Sequence, residues 1–295
     1  MSAQPSLTRG PVLDWRVIGI IWRREMLRYF RERSQPLGGL SRTILWLVIL
    51  GFGLGASLRE IEGYTYAQYI LPGVVTLNVL FASLQCAIGI VWDREVGILR
   101  EVLVSPAPML SVALGKLLGG ASISVIQGSI PLAFAPVVGV PLTVTRLLLA
   151  WLIIFSMGLF VTALGVVIAT RMKTFEGFGT ISNGIIQPLY FLSGSIFPLK
   201  GIIGGTGFLD IPDALRAELR RLGIFALGGG WVVQLPVWLR VLVYMNPVSY
   251  LLDLLRYALL DFQQLPMWAD LLVATVLPLV MLVLATAAMS RMRKT

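Results

Sequence analysis

The chain has 295 residues, of which 57% are hydrophobic and only 13% charged, with a formal net charge of +9 and a pI near 10.1. A soluble domain is nearer about 45–50% apolar and about 25% charged, so this composition belongs to a bilayer. No histidine is present, which removes serine–histidine and cysteine–histidine catalysis and histidine metal sites, and the lone Cys86 excludes an intrachain disulfide or a cysteine cluster.

Taken in chain order, residues 12–33 (VLDWRVIGIIWRREMLRYFRER) come first. Trp15, Ile18, Trp22, Met26, Tyr29 and Phe30 recur at three- and four-residue steps, so they share one helical face. Arg16, Arg23, Arg24, Arg28 and Arg31 fill much of the remainder. A basic helix with an aromatic stripe suits the headgroup layer, and its lipid use makes nucleic acid a poor reading of the net charge. No cleavable signal peptide is expected, because the first apolar run follows a long basic segment.

A membrane-crossing helix needs roughly 20 uncharged residues. The gaps between charges predict six such spans, at 41–58, 68–92, 111–137, 147–170, 177–197 and 270–290. Backbone amides in hydrocarbon must be bonded within the segment, so the fold class is an all-α polytopic membrane protein, a single domain over 1–295. The predicted cytoplasmic segments carry +5, 0, +1 and +3, while the external loops cancel, which puts both termini on the cytoplasmic side. Spans expected to be free of interior charge leave no ion relay. The neutral Asn78, Gln85, Gln127, Asn183 and Gln187 then either bond neighbouring helices or line a path for an uncharged or amphiphilic substrate.

Between the second and third spans, residues 92–108 hold five charges from Asp93 to Glu101, with Ile98, Leu99, Val102 and Leu103 between and behind them, and Ser105-Pro106 as a stop. This predicts a short amphipathic helix across the cytoplasmic ends of two spans. Residues 198–269 predict external interfacial or re-entrant helices, one at 212–223 and one after Asn246-Pro247. The run 222–239, with Gly228-Gly229-Gly230, Gln234 and Pro236, is poor for a lipid-exposed helix. There is no GxxxxGK[ST] phosphate loop, and Gly51, Gly53, Gly55, Gly119 and Gly120 are read as close helix packing.

The ordered series WRREMLRYFRERS, LPGVV (71–75), VWDREVGILREVLVSPAP leading to LGKLLGG, FLSGSIFPL (191–199) and MNPVSYLLDLLRYALL (245–260) resembles the membrane subunit of ABC-2-type exporters. The resemblance covers roughly residues 15 to 292, departing in a longer insert between Pro198 and Asn246. It implies a six-helix half-transporter in a bacterial inner membrane. That subunit pairs with a second copy or a homologous permease, exports an amphiphilic substrate, and has no cofactor of its own. ATP and Mg are expected on separate ABC ATPase subunits. Contact with that ATPase is implied for Trp22, Arg23, Arg24, Glu25 and Arg28 of the interface helix. In the first cytoplasmic loop, the coupling helix, it is implied for Asp93, Arg94, Glu95, Gly97, Arg100, Glu101, Ser105 and Pro106. The rival readings are a channel or secondary carrier, which would need charge within the membrane, and a non-transporting scaffold.

Overall fold

The computed structural model describes residues 13–55, 61, 63–97, 107–199 and 236–292. Nine α-helices lie among the described residues, and no β-strand does. They are α1 (Trp15–Arg31), α2 (Ser34–Trp46), α3 (Tyr66–Glu95), α4 (Met109–Leu132) and α5 (Val144–Ala169), followed by α6 (Phe175–Phe191), α7 (Val237–Met245), α8 (Pro247–Leu260) and α9 (Met267–Met292). A π-helical segment, Leu47–Leu54, continues α2.

Helix starts follow from local side chains. Asp14 accepts a hydrogen bond from the Arg16 amide to open α1, and Thr65 with Gln68 forms a reciprocal capping box on α3. Thr143 caps α5, and Thr174 caps α6 by accepting from the Gly177 amide. Asn246 caps α8 and Pro247 occupies its first turn, where a missing amide hydrogen costs nothing. The break expected at Asn246-Pro247 is thus a helix start.

Five stretches are long and apolar enough to cross a membrane: Ser34–Gly53, Tyr66–Glu95, Met109–Leu132, Val144–Ala169 and Met267–Met292. The expected span at 177–197 overlaps α6, which starts two residues earlier and whose 17 residues give roughly 25 Å of helix. The helix at 212–223, the glycine triplet and most of 222–239 lie outside the described residues.

α3 is the centre of the bundle and packs against α2, α4, α5, α6 and α8. Of its most apolar window, 83% is buried, against 22% for Ser34–Gly53 and 11% for α9, which therefore form the periphery. Ile70, Leu71, Val74, Val75, Val79 and Leu80 are fully buried, so α3 is apolar on every side through this stretch. Lipid tails are as apolar as leucine, so helices in a bilayer associate by close packing and hydrogen bonds. Small residues supply that packing here: Gly120 faces Thr162, Gly158 faces Ala121 and Ser124, and Gly165 faces Ala87 and Leu84.

Candidate functional site

α1 lies against α4, and two glycines one turn apart set how closely it approaches. A Cβ on Gly115 would stand 2.7 Å from the Ile21 Cβ, and one on Gly119 would stand 2.9 Å from the Glu25 Cβ. This small-xxx-small face lets α1 touch the α4 backbone. Two hydrogen bonds fix the register. The Asp14 amide donates to Ser111 Oγ at 2.7 Å, and Trp22 Nε1 donates to Ser122 Oγ at 3.0 Å.

The close approach inserts Glu25 beside the end of α3. Four charges then meet. Arg24 Nη2 lies 2.8 Å from Asp93 Oδ2 and 3.1 Å from Glu25 Oε1, while Lys116 Nζ lies 3.0 Å from Glu25 Oε1 and 3.5 Å from Asp93 Oδ2. Glu25, Asp93 and Lys116 are buried, and Arg24 reaches the surface. Burial pushes the Glu25 carboxyl toward its neutral form, but Lys116 and then Arg24 outweigh it and hold the group below the usual glutamate range. Burial likewise opposes the Arg24 charge, and the Asp93 and Glu25 carboxylates overcome it, raising that guanidinium above its ordinary value. Two acids and two bases balance, so the cluster is neutral and paired.

Asp93, Arg94 and Glu95 fan out to three parts of the fold. Asp93 turns to α1 and α4. Arg94 donates to the carbonyls of Met172 and Thr170, the latter at 3.0 Å, in the α5–α6 connection, and its Nη2 lies 2.7 Å from Met292 Sδ of α9. Glu95 accepts from the Phe175 amide at 2.9 Å and so caps α6. Three consecutive residues at one helix end therefore tie together α1, α4, α5, α6 and α9.

The expected coupling helix at 92–108 does not start where the charge pattern suggested. Trp92 to Glu95 are the last turn of α3, because each charge there has a partner on a neighbouring helix or connection, and α3 ends at Val96-Gly97, with Gly97 at φ +86°. Arg100, Glu101, Ser105 and Pro106 lie outside the described residues. Of the expected α1 contacts, Arg24 and Glu25 belong to the ion cluster. Arg28 lies over Gly89, Trp22 is bonded at its indole nitrogen but 40% exposed, and Arg23 is exposed. Lys116, the counter-charge to both acids, was not among the residues expected at this site. Its signal in the sequence is a lysine between Gly115 and Gly119, the two positions that admit another helix.

The five neutral polar residues separate into two groups. Asn78 and Gln127 are buried and bond to α2: Asn78 Nδ2 donates to Thr43 Oγ1 at 3.0 Å, and Gln127 Nε2 donates to the Gln35 carbonyl at 2.9 Å. Gln85, Asn183 and Gln187 are exposed, the last two one turn apart on α6. The expectation of charge-free span interiors is overturned by Arg42. The helix carrying it begins at Ser34, with Pro36 in a first turn that needs no amide donor, so Arg42 falls inside the Ser34–Gly53 stretch rather than at its edge.

At the opposite end of α3, the Phe191–Leu199 and Asn246–Leu260 motifs form one polar knot. Arg256 Nη2 donates to the Gly194 carbonyl at 3.0 Å and its guanidinium stacks over Tyr69 at 4.3 Å, while Asp253 accepts from the Gln264 and Leu265 amides. Tyr69 Oη also donates to the Gly194 carbonyl, at 2.9 Å. Asp253 and Arg256 are both buried, so α8 docks through charge as well as its apolar face.

Comparison with known proteins follows the same frame. Residues 16–209 match a family model described as ABC-2 type transporter. The inner membrane transport permease YadH of Escherichia coli (strain K12) is 23% identical over 265 residues, covering 86% of this chain and 87% of that protein. Nodulation protein J of Bradyrhizobium diazoefficiens is 27% identical over 183 residues, covering 60% of this chain and 69% of its own. Nodulation protein J of Sinorhizobium fredii is 25% identical over 228 residues, with 75% and 86% covered.

Proposed function

Since the chain belongs to the ABC-2 type transporter family and is therefore a membrane subunit of an ABC transporter, we propose that it is the permease half of an exporter. Its Asp93 end receives the stroke of a separate ATPase. Permeases of this family work with ABC ATPase partners. ATP and magnesium belong to that partner, and this chain supplies the path and the mechanical link. The single observation that carries the reading is the fan of Asp93, Arg94 and Glu95, which joins the entrance of the 98–106 segment to five helices at once.

In this reading the Asp93 end faces the cytoplasm with both termini, in a bacterial inner membrane, and α6 with the residues to Phe197 makes a sixth crossing. Two such chains, or one with a homologous permease, enclose the path for an amphiphilic cargo. ATP closes the ATPase pair, and the movement enters through residues 93–106 and the exposed side of α1. A paired buried cluster moves as one body, because separating its charges would strand them in low dielectric. The work available is bounded by the difference in ATP binding free energy between the two states of the complex.

The test is co-purification of the chain with a separate ABC ATPase subunit, followed by transport-coupled ATPase measurement in proteoliposomes. Asp93→Ala with Glu95→Ala should lower transport and coupling by about five-fold or more, the lower range of a measurable coupling energy, with membrane insertion unchanged. Export at the unmodified rate by that double variant would overturn the assignment.

A further inference from the structure

Arg42 stands well inside the membrane-length helix Ser34–Gly53, eight residues after its start, or roughly 12 Å along the axis. Its partner Asn78 lies fifteen residues before Asp93 on α3, roughly 22 Å from the ion cluster and roughly 18 Å from the Tyr66 end. Both measures place this guanidinium far from either end of the bundle. An arginine at such depth is expensive and marks a site of function by default.

Its surroundings hold it without neutralising it. The Asn78 amide is oriented by two donations from Nδ2, to Thr43 Oγ1 at 3.0 Å and to the Val74 carbonyl at 3.1 Å, which turns Oδ1 toward Arg42 Nη1 at 3.3 Å. Thr43 is fixed in turn by donating to the Gly39 carbonyl at 2.8 Å. The guanidinium carbon sits 3.9 Å from the Phe81 ring centroid. Among the described residues Arg42 has no carboxylate within ion-pair reach, and one of its five N–H donors has a protein acceptor. The residue is half-buried, so part of it reaches the surface of the bundle. One turn further on, Leu45 is 54% exposed beside it.

We propose that Arg42, positioned by Asn78 and Phe81, is an oxyanion subsite that holds the phosphate, sulfate or carboxylate group of an anionic amphiphile within the membrane. A planar fork with free donors matches two oxygens of such a group, and the low dielectric strengthens the pairing. The exposed Leu45 side of α2 offers apolar surface to the rest of the molecule. The proposal rests on the transporter reading for its purpose, since it names the cargo class, but the binding stands or falls separately.

Native mass spectrometry of the purified full-length chain, released from nanodiscs containing equal phosphatidic acid and phosphatidylcholine of the same acyl chains, tests it. The unmodified protein should retain phosphatidic acid over phosphatidylcholine. Arg42→Gln should lower that preference about ten-fold, as expected for losing a charge-assisted pair of hydrogen bonds. Asn78→Asp, which sets a carboxylate against Arg42 and leaves the guanidinium in place, should lower it comparably, and decides the matter if Arg42→Gln fails to fold. Equal preference in Asn78→Asp and the unmodified chain would overturn the proposal. So would displacement of phosphatidic acid by inorganic phosphate at matched concentration, which would mark a free-anion site. Dissociation of a dimer by Arg42→Gln with lipid preference intact in Asn78→Asp would overturn it too, making Arg42 a contact between copies. Because no ATPase takes part, failure here leaves the coupling assignment standing, and loss of coupling in the double variant leaves this binding intact.

Discussion

At the Glu95 end of α3, Arg24 meets Asp93 at 2.8 Å and Lys116 completes a neutral four-charge cluster with Glu25. Fifteen residues earlier on the same helix, Arg42 meets Asn78 at 3.3 Å and faces no carboxylate among the described residues. Both arginines lean on α3, and both are fixed by neighbours that are themselves hydrogen-bonded. They differ in whether the charge is cancelled. A cancelled, buried cluster is a joint, because each member is costly to remove and none is left to bind anything else. An oriented but uncancelled cation is a receptor, because the protein leaves the stabilisation to a ligand.

The comparison breaks most visibly at Glu25. Glu25→Gln would leave Lys116 buried with one acid in place of two, and breaking a buried pair typically costs about 3–5 kcal/mol. The expected result is a large fall in the thermal unfolding midpoint of the detergent-purified chain, together with release of α1 to protease. Arg42→Gln, which deletes no carboxylate's partner, should leave that midpoint nearly unchanged. Similar losses from both substitutions would erase the distinction between joint and receptor.

A smaller effect is expected at the glycine face. Gly119→Val would drive a branched side chain into the Glu25 stem, and overpacking costs typically about 1–3 kcal/mol. It should weaken α1 docking while leaving every charge in place. Crosslinking between cysteines placed at Asp14 and Ser111, which touch across the two helices, would report the change, and unaltered crosslinking would show that charge alone holds α1.

Acidification should act least. The folded-state value of Glu25 is depressed, so its contribution is present above the ordinary glutamate range and disappears as pH falls through the lowered folded value. Protease resistance of α1 should therefore hold from about pH 7 down to about pH 5 and fade only below that. Loosening already near pH 6 would mean that Lys116 and Arg24 do not hold the carboxylate ionised.

Much of the frame is legible in the residues. Charge-free runs marked six spans, five of which overlap stretches long enough to cross, Asn246-Pro247 marked a helix start, and the spacing of Trp15, Ile18 and Trp22 marked α1. The family was legible as well, in motifs that stand in the right order. Element edges and pairings were less so. Asp93 to Glu95 look like the start of a soluble helix when charge is read locally, yet they complete α3 because Arg24, Lys116 and the Phe175 amide wait for them from distant parts of the chain. Lys116 is one lysine between two glycines when read along the chain, and its two carboxylate partners lie 91 and 23 positions away.

Composition and spacing determined by themselves that this chain is a helical membrane protein, since hydrophobic length and charge placement are properties of the sequence read in one dimension, and the order of its motifs carried the resemblance to the family. Which charges are cancelled and which stay open was decided only by tertiary structure. Coulombic pairing falls off over a few ångströms, and α3 alone knows which of Arg24, Lys116 and Arg42 meets an acid.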